Sequence, residues 1–155
     1  MRRIVAAAVV LTTLAAVPMA GAVGKDKVMY VGGTLPITVK AEGVLATSDE
    51  HKMVFIAEKG GGMIEIPWKK IEEAEYGQKV GRRVKSAIFL SPLMLFSKAR
   101  HHYLTITYKD AKDEPQSAVL ELGKDTVRTT LVVIETRMGR KITYQDEEAA
   151  KSRAN

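Results

Sequence analysis

The stretch that decides the fold is His102-Tyr103-Leu104-Thr105-Ile106-Thr107-Tyr108, read together with the chain beyond it as far as Gly139. In an extended chain, His102, Leu104, Ile106 and Tyr108 fall on one face, and Tyr103, Thr105 and Thr107 fall on the other. Asp110 to Pro115 supplies a polar turn, after which Ala118, Leu120 and Leu122 resume the period of two. After Gly123 the period changes once. Val127, Leu131, Ile134 and Met138 recur at helical spacing, which predicts one amphipathic helix over about 125–138. Asp125 is the expected N-cap, because its carboxylate can accept from the exposed amides of the first turn. Gly139 is the expected left-handed terminator, and Arg137 places a cation in the last turn, where it opposes the helix dipole.

Outward from this stretch, toward the N-terminus, the alternation continues. Leu35, Ile37 and Val39 alternate with Pro36, Thr38 and Lys40 and predict a strand. Two apolar runs, Gly43 to Ala46 and Met53 to Ala57, are joined by Thr47-Ser48-Asp49-Glu50 and read as a hairpin. Gly60-Gly61-Gly62 marks a second turn, beyond which Ile64, Ile66 and Trp68 share a face. The expectation is a mainly β chain of six or seven antiparallel strands with one C-terminal helix. A strongly bent sheet or small barrel leaves one open mouth, and an amphipathic helix can plug it with its apolar stripe. Gln145 to Asn155 is charged and small, and is expected to be a flexible tail.

The order of elements resembles the pleckstrin-homology-like (PH-like) fold and the related GRAM domain. The step Ile66-Pro67-Trp68-Lys69-Lys70-Ile71 is similar to the Ile-Pro-aromatic-x-x-Ile step on a central strand of many bacterial domains of that kind. Tyr76-Gly77-Gln78, Leu95-Phe96-Ser97-Lys98 and the block from His102 to Tyr108 also resemble an exported bacterial PH-like family of unassigned function. The likeness covers about residues 28–144. It implies the small capped barrel but no single activity, because this fold carries lipid, peptide and scaffold roles alike. Phosphoinositide binding is not implied. In eukaryotic PH domains the cations cluster around the first hairpin, and here Lys40 and Lys52 are the only ones near it.

The chain has 155 residues, 46% hydrophobic and 27% charged, with 24 Lys+Arg against 18 Asp+Glu and a formal net charge of +6. This suits one folded domain and argues against disordered, collagen-like and coiled-coil chains. Cysteine is absent, which removes disulfides, thiolate nucleophiles, zinc–thiolate sites and iron–sulfur clusters. Arg2 and Arg3 precede an uncharged run from Ile4 to Val17, Pro18 breaks it, and Ala20-Gly21-Ala22 offers the small-x-small pattern that signal peptidase accepts. That run falls short of the ~20 residues needed to span a bilayer. Residues 1–22 are therefore expected to be a signal peptide, placing the mature chain in the periplasm or outside the cell. Taking 22 from 155 leaves 133 residues, with a PH-like β domain over 23–144 and a tail over 145–155. Without Arg2 and Arg3, 22 basic residues face 18 acidic ones, a net of +4.

One interval stands apart. Between Glu75 and Asp110 there is no acidic residue, yet Lys79, Arg82, Arg83, Lys85, Lys98, Arg100 and Lys109 supply seven positive charges, more than the net of the mature chain. Its centre, residues 87–96, holds eight apolar side chains in ten and contains Pro92, which breaks a regular helix or central strand. A short apolar stretch fenced by cations suits the edge of an anionic bilayer. Each cation contributes about 1 kcal/mol near a negative surface, and each fully inserted apolar side chain about 1.5–3 kcal/mol. Arg82, Arg83, Lys85, Phe89, Leu93, Phe96, Lys98, Arg100 and His101 are the candidate lipid- or partner-binding residues. The competing reading makes Ile88, Leu90, Leu93 and Leu95 a core strand with solvated basic ends.

Other constellations are set aside. His101 and His102 are strand neighbours and point to opposite faces, so they do not chelate one ion; His51 is remote in sequence. Glu72, Glu73 and Glu75 read as a solvated strand edge, Gly60-Gly61-Gly62 lacks the Lys-Ser/Thr of a phosphate loop, and no serine sits in an elbow motif. Trp68 is expected in the core or at the barrel lip. No acid, base and nucleophile assemble, so no enzyme, cofactor or metal is expected. Arg100-His101-His102-Tyr103 could track phosphates, but export and the lack of paired exposed aromatics on one strand face argue against nucleic acid. The expected function is a non-enzymatic exported module attached peripherally to anionic lipid head groups or an envelope protein through the basic–apolar loop. The alternative is a protein-interaction or scaffold domain that takes up a peptide at an exposed strand edge.

Overall fold

The computed structural model describes residues 26–78, 89–90 and 101–152. The expected signal peptide, most of the basic–apolar loop and residues 153–155 lie outside the described residues. Strands β1 (Asp26–Gly33), β2 (Ala41–Ala46), β3 (Lys52–Ala57) and β4 (Met63–Pro67) form an antiparallel meander. A single 3-10 turn, Trp68–Lys70, leads into β5 (Ile71–Gly77). The two-residue strand β6 (Phe89–Leu90) comes next, then β7 (His102–Lys109), β8 (Pro115–Leu122), helix α1 (Val127–Met138), β9 (Thr143–Tyr144) and helix α2 (Glu147–Ser152). β5, β7 and β8 make a second meander, and β8 pairs along β1, so both meanders become one curled half-barrel ordered β4-β3-β2-β1-β8-β7-β5-β9. β6 stands off this path and pairs with β1.

The fold is mainly β and capped by the C-terminal helix, an architecture consistent with a PH-like small barrel. Leu104, Ile106 and Leu120 are fully buried on the concave face, as their alternation requires. α1 turns Val127, Leu131 and Ile134 into the same core, where Tyr30 and Phe55 lie with ring centroids 6.4 Å apart. Gly139 ends α1 at φ 67°, and its N–H donates to the Glu135 carbonyl at 3.0 Å. Arg137 donates to the Ser48 carbonyl at 3.2 Å, tying the helix to the β2–β3 turn. A smaller apolar cluster, Val31, Tyr103 and Val119 with Met29 against it, lies apart from this core.

Four details depart from the sequence reading. Leu35 to Val39 is a series of bends rather than a strand. Pro36 offers no N–H to a ladder, the chain reverses at Lys40 (φ 69°), and the Lys40 amide donates back to the Tyr30 carbonyl at 2.8 Å. Leu35 and Ile37 still pack on the core as loop residues. The N-cap position of α1 is Thr126, not Asp125, and the Thr126 hydroxyl donates to the Gly123 carbonyl at 3.3 Å. The described strands number nine, two of them only two residues long. Finally, the charged terminal stretch is not a free tail up to residue 152. Asp146 accepts from the Ala149 amide at 2.7 Å, which starts α2, and Ala149 is fully buried.

The segment after α1 also seals the β5 edge of the sheet. β9 pairs in parallel with Glu75 and Tyr76, and the Gln145 amide donates to the Tyr76 carbonyl at 3.0 Å. Farther down the same strand, Arg140 donates to the carbonyls of Ile71 and Glu72. Both ends of β5 thus find partners for main-chain groups that an edge strand would leave to solvent.

Candidate functional site

The interval singled out by its charge leaves the sheet at a defined place. Tyr76 pairs with Leu104 and Gly77 with Tyr103, so β5 ends where β7 begins, side by side. The connection between these neighbours is far longer than the two to five residues an antiparallel pair needs. Arg82, Arg83, Lys85, Leu93, Phe96, Lys98 and Arg100 lie outside the described residues. Phe89 is placed through its backbone alone: it pairs with Gly33, and Leu90 pairs with Gly32. Phe89 and Leu90 therefore pair along β1 just past the residues that pair with β2, at Gly33 and Gly32, which follow Val31 of the second apolar cluster in the chain.

His101 is the candidate residue whose side chain is described. Its Nδ1 lies 2.7 Å from Glu121 Oε1, and its ring stacks on Tyr103 at 5.8 Å. Glu121 reaches this position because β7 and β8 pair Tyr103 with Glu121 across the ladder. Burial, aided by the Glu121 charge, pushes the Tyr103 phenol up to about 12. His102 faces the other way. Its Nδ1 lies 2.6 Å from Tyr76 Oη, the two rings are nearly parallel at 6.1 Å, and Tyr144 meets Tyr76 edge-on at 5.7 Å. Burial, then the charges of His101 and Lys124, push the His102 imidazole below its ordinary value. Tyr76 Oη and His102 Nδ1 share one hydrogen bond, whose donor is set by the imidazole tautomer.

The two histidines thus serve opposite faces of β7, and they share no ligand geometry. Among the described residues, no group of three or more His, Asp and Glu could hold a metal ion. Glu72 and Glu73 are exposed, as a solvated edge requires, but Glu75 is buried between β7 and β9. Trp68 belongs to the core and donates from Nε1 to the Asp49 carbonyl at 2.9 Å.

The sequence reading missed Glu121 and Tyr76. Glu121 carried one local signal, being the sole acid in an otherwise apolar strand end; its pairing with His101 depends on register, which one strand alone does not disclose. These contacts hold the loop's stem. No protein-family model matches the chain, and no curated protein is significantly similar to it.

Proposed function

We propose that this chain is a non-enzymatic, exported binding module of the PH-like (GRAM-like) kind. It attaches peripherally to an anionic membrane surface or envelope component through the basic–apolar loop around Arg82 to His102. The observation that carries the reading is the acid-free interval itself, with its seven cations around an apolar decad. The frame of the loop supports it. The stem is fixed by the β5–β7 pairing and by the His101–Glu121 contact, so cations on the loop act from a rigid base. Five cations at about 1 kcal/mol each, with a few apolar insertions, suffice for reversible attachment.

Sedimentation of the chain lacking residues 1–22 with anionic liposomes tests this. Binding is expected at low salt, with release at high salt and loss in the Arg82→Glu, Arg83→Glu double variant. Sedimentation that ignores the double variant, or no sedimentation at all, refutes the docking surface.

A second reading has one observation in its favour. β4 ends the described sheet, and its Met63, paired with Ile56 of β3, is exposed at 59% beside an Ile56 exposed at 48%. An extended peptide could add to that edge. Envelope cross-linking that captures one stoichiometric protein, independent of lipid, selects this reading over the first.

A further inference from the structure

At the end of the half-barrel away from the loop stem lies an open cleft of about 650 Å3, bounded by the 3-10 turn, the start of β5, the end of β7 and the segment after α1. Its charged lining is Lys69, Lys70, Lys109, Arg140 and Glu72. We propose that this cleft binds a phosphomonoester dianion, either a free small phosphate compound or a lipid headgroup.

The charge balance leads to this class. Four cations face the single carboxylate of Glu72, and Asp113, 2.9 Å from Lys70 Nζ, adds one more from outside the lining. Among the lining residues and Asp113 the balance is two positive charges in one concavity, which suits a dianion. Nearby Asp110, whose carbonyl Lys70 also reaches at 2.8 Å, turns its carboxylate to Gln116 and the Lys112 and Glu114 amides. The local ion pairs do not close the site. Lys109 stands 3.6 Å from Glu72 with both side chains about half exposed, 48% and 49%, a contact weak enough to exchange for a doubly charged ligand. Arg140 is committed to the Ile71 and Glu72 carbonyls, so its charge is held at the rim without a carboxylate in that contact. Lys69 is exposed at the mouth on the 3-10 turn. The lysines act as point charges on the phosphate oxygens. Buried Trp68 and Ile71 fix the backbone of the turn that carries Lys69 and Lys70.

The cleft lies at the opposite end of β5 from the loop stem, since Ile71 pairs with Tyr108 at one end and Gly77 with Tyr103 at the other. The test titrates the chain lacking residues 1–22 with inorganic phosphate and with glycerol 3-phosphate, following backbone amide NMR shifts of Lys69 to Glu72. Saturable shifts at millimolar ligand are expected. The Lys69→Glu, Lys109→Glu double variant should weaken binding at least about tenfold, since two charge-assisted contacts are replaced by repulsion. Glu72→Gln should tighten it several-fold by removing the competing carboxylate. Failure of both probes to saturate overturns the proposal, as does equal weakening by Lys59→Glu on the remote β3–β4 turn. Vesicles then separate the sources, in an Arg82→Glu, Arg83→Glu background that removes loop docking. Preference for phosphatidic acid over phosphatidylglycerol, abolished by the Lys69 and Lys109 changes, assigns the headgroup. Saturable soluble binding without that preference assigns the free compound.

Discussion

A methyl group added at Gly43 would lie 2.3 Å from the Ile56 carbonyl oxygen and 2.8 Å from the Phe55 ring, so β2 and β3 approach there more closely than any side chain permits. The obstacle is backbone on one side and a fully buried ring on the other, and neither yields cheaply. Gly43→Ala is expected to destabilise the fold by about 1–3 kcal/mol, read as a lower urea midpoint at unchanged slope. In the sequence Gly43 was legible only as one member of an apolar run, because the contact depends on a register between two strands. Glu135 is a second case. Written along the helix it is one more charge, yet it is buried, and its Oε1 accepts from the Ile142 amide at 3.1 Å. That bond exists because the chain folds back after Gly139, a path no local pattern specifies.

Elements were legible where one period ran unbroken. α1 kept its expected apolar stripe, with Leu131 at 1% exposure and Ile134 at 0%, while Val132 faces solvent at 43%. Leu131→Ala is expected to cost about 2–5 kcal/mol, and Val132→Ala at most about 0.5 kcal/mol. Thermal unfolding of the two variants checks the assignment, and similar losses in both would refute the capping role of α1. The β2–β3 and β3–β4 hairpins followed their turn residues in the same way. Legibility failed where a short alternation carried a proline, at Leu35 to Val39, and where composition hid a single buried residue, Ala149 in α2. Parallel pairing of β9 with β5 was beyond reach too, since two residues carry no period.

At the scale of the whole molecule, tyrosine burial sets an alkaline limit. Tyr103 and Tyr108 are each pushed up to about 12, mainly by burial, and burial raises Tyr30 as well. An unfolded tyrosine loses its proton near pH 10. The folded phenols therefore contribute stability that is fully present below about pH 10 and lost as pH rises toward about 12. Phenolate absorbance is expected to rise together with loss of β-sheet circular dichroism in that window. Titration of all tyrosines near pH 10 with the sheet intact would contradict it. Of the candidate site, the sequence disclosed the charge pattern but not its frame. The stem contacts join β5, β7 and β8 through partners that are distant in sequence, and the cleft at the other end needs separate stretches of chain to come together.

The sealed β5 margin has a consequence for self-association. Arg140, Gln145 and β9 occupy its main-chain groups, while β4 keeps its margin open among the described residues. A ribbon with one long open border can join a copy of itself border to border, while the two-residue β9 at the other end offers too little strand for a second such junction. Native copies that meet along this route stop at two, and a fibre built by repeating the contact has nowhere to continue.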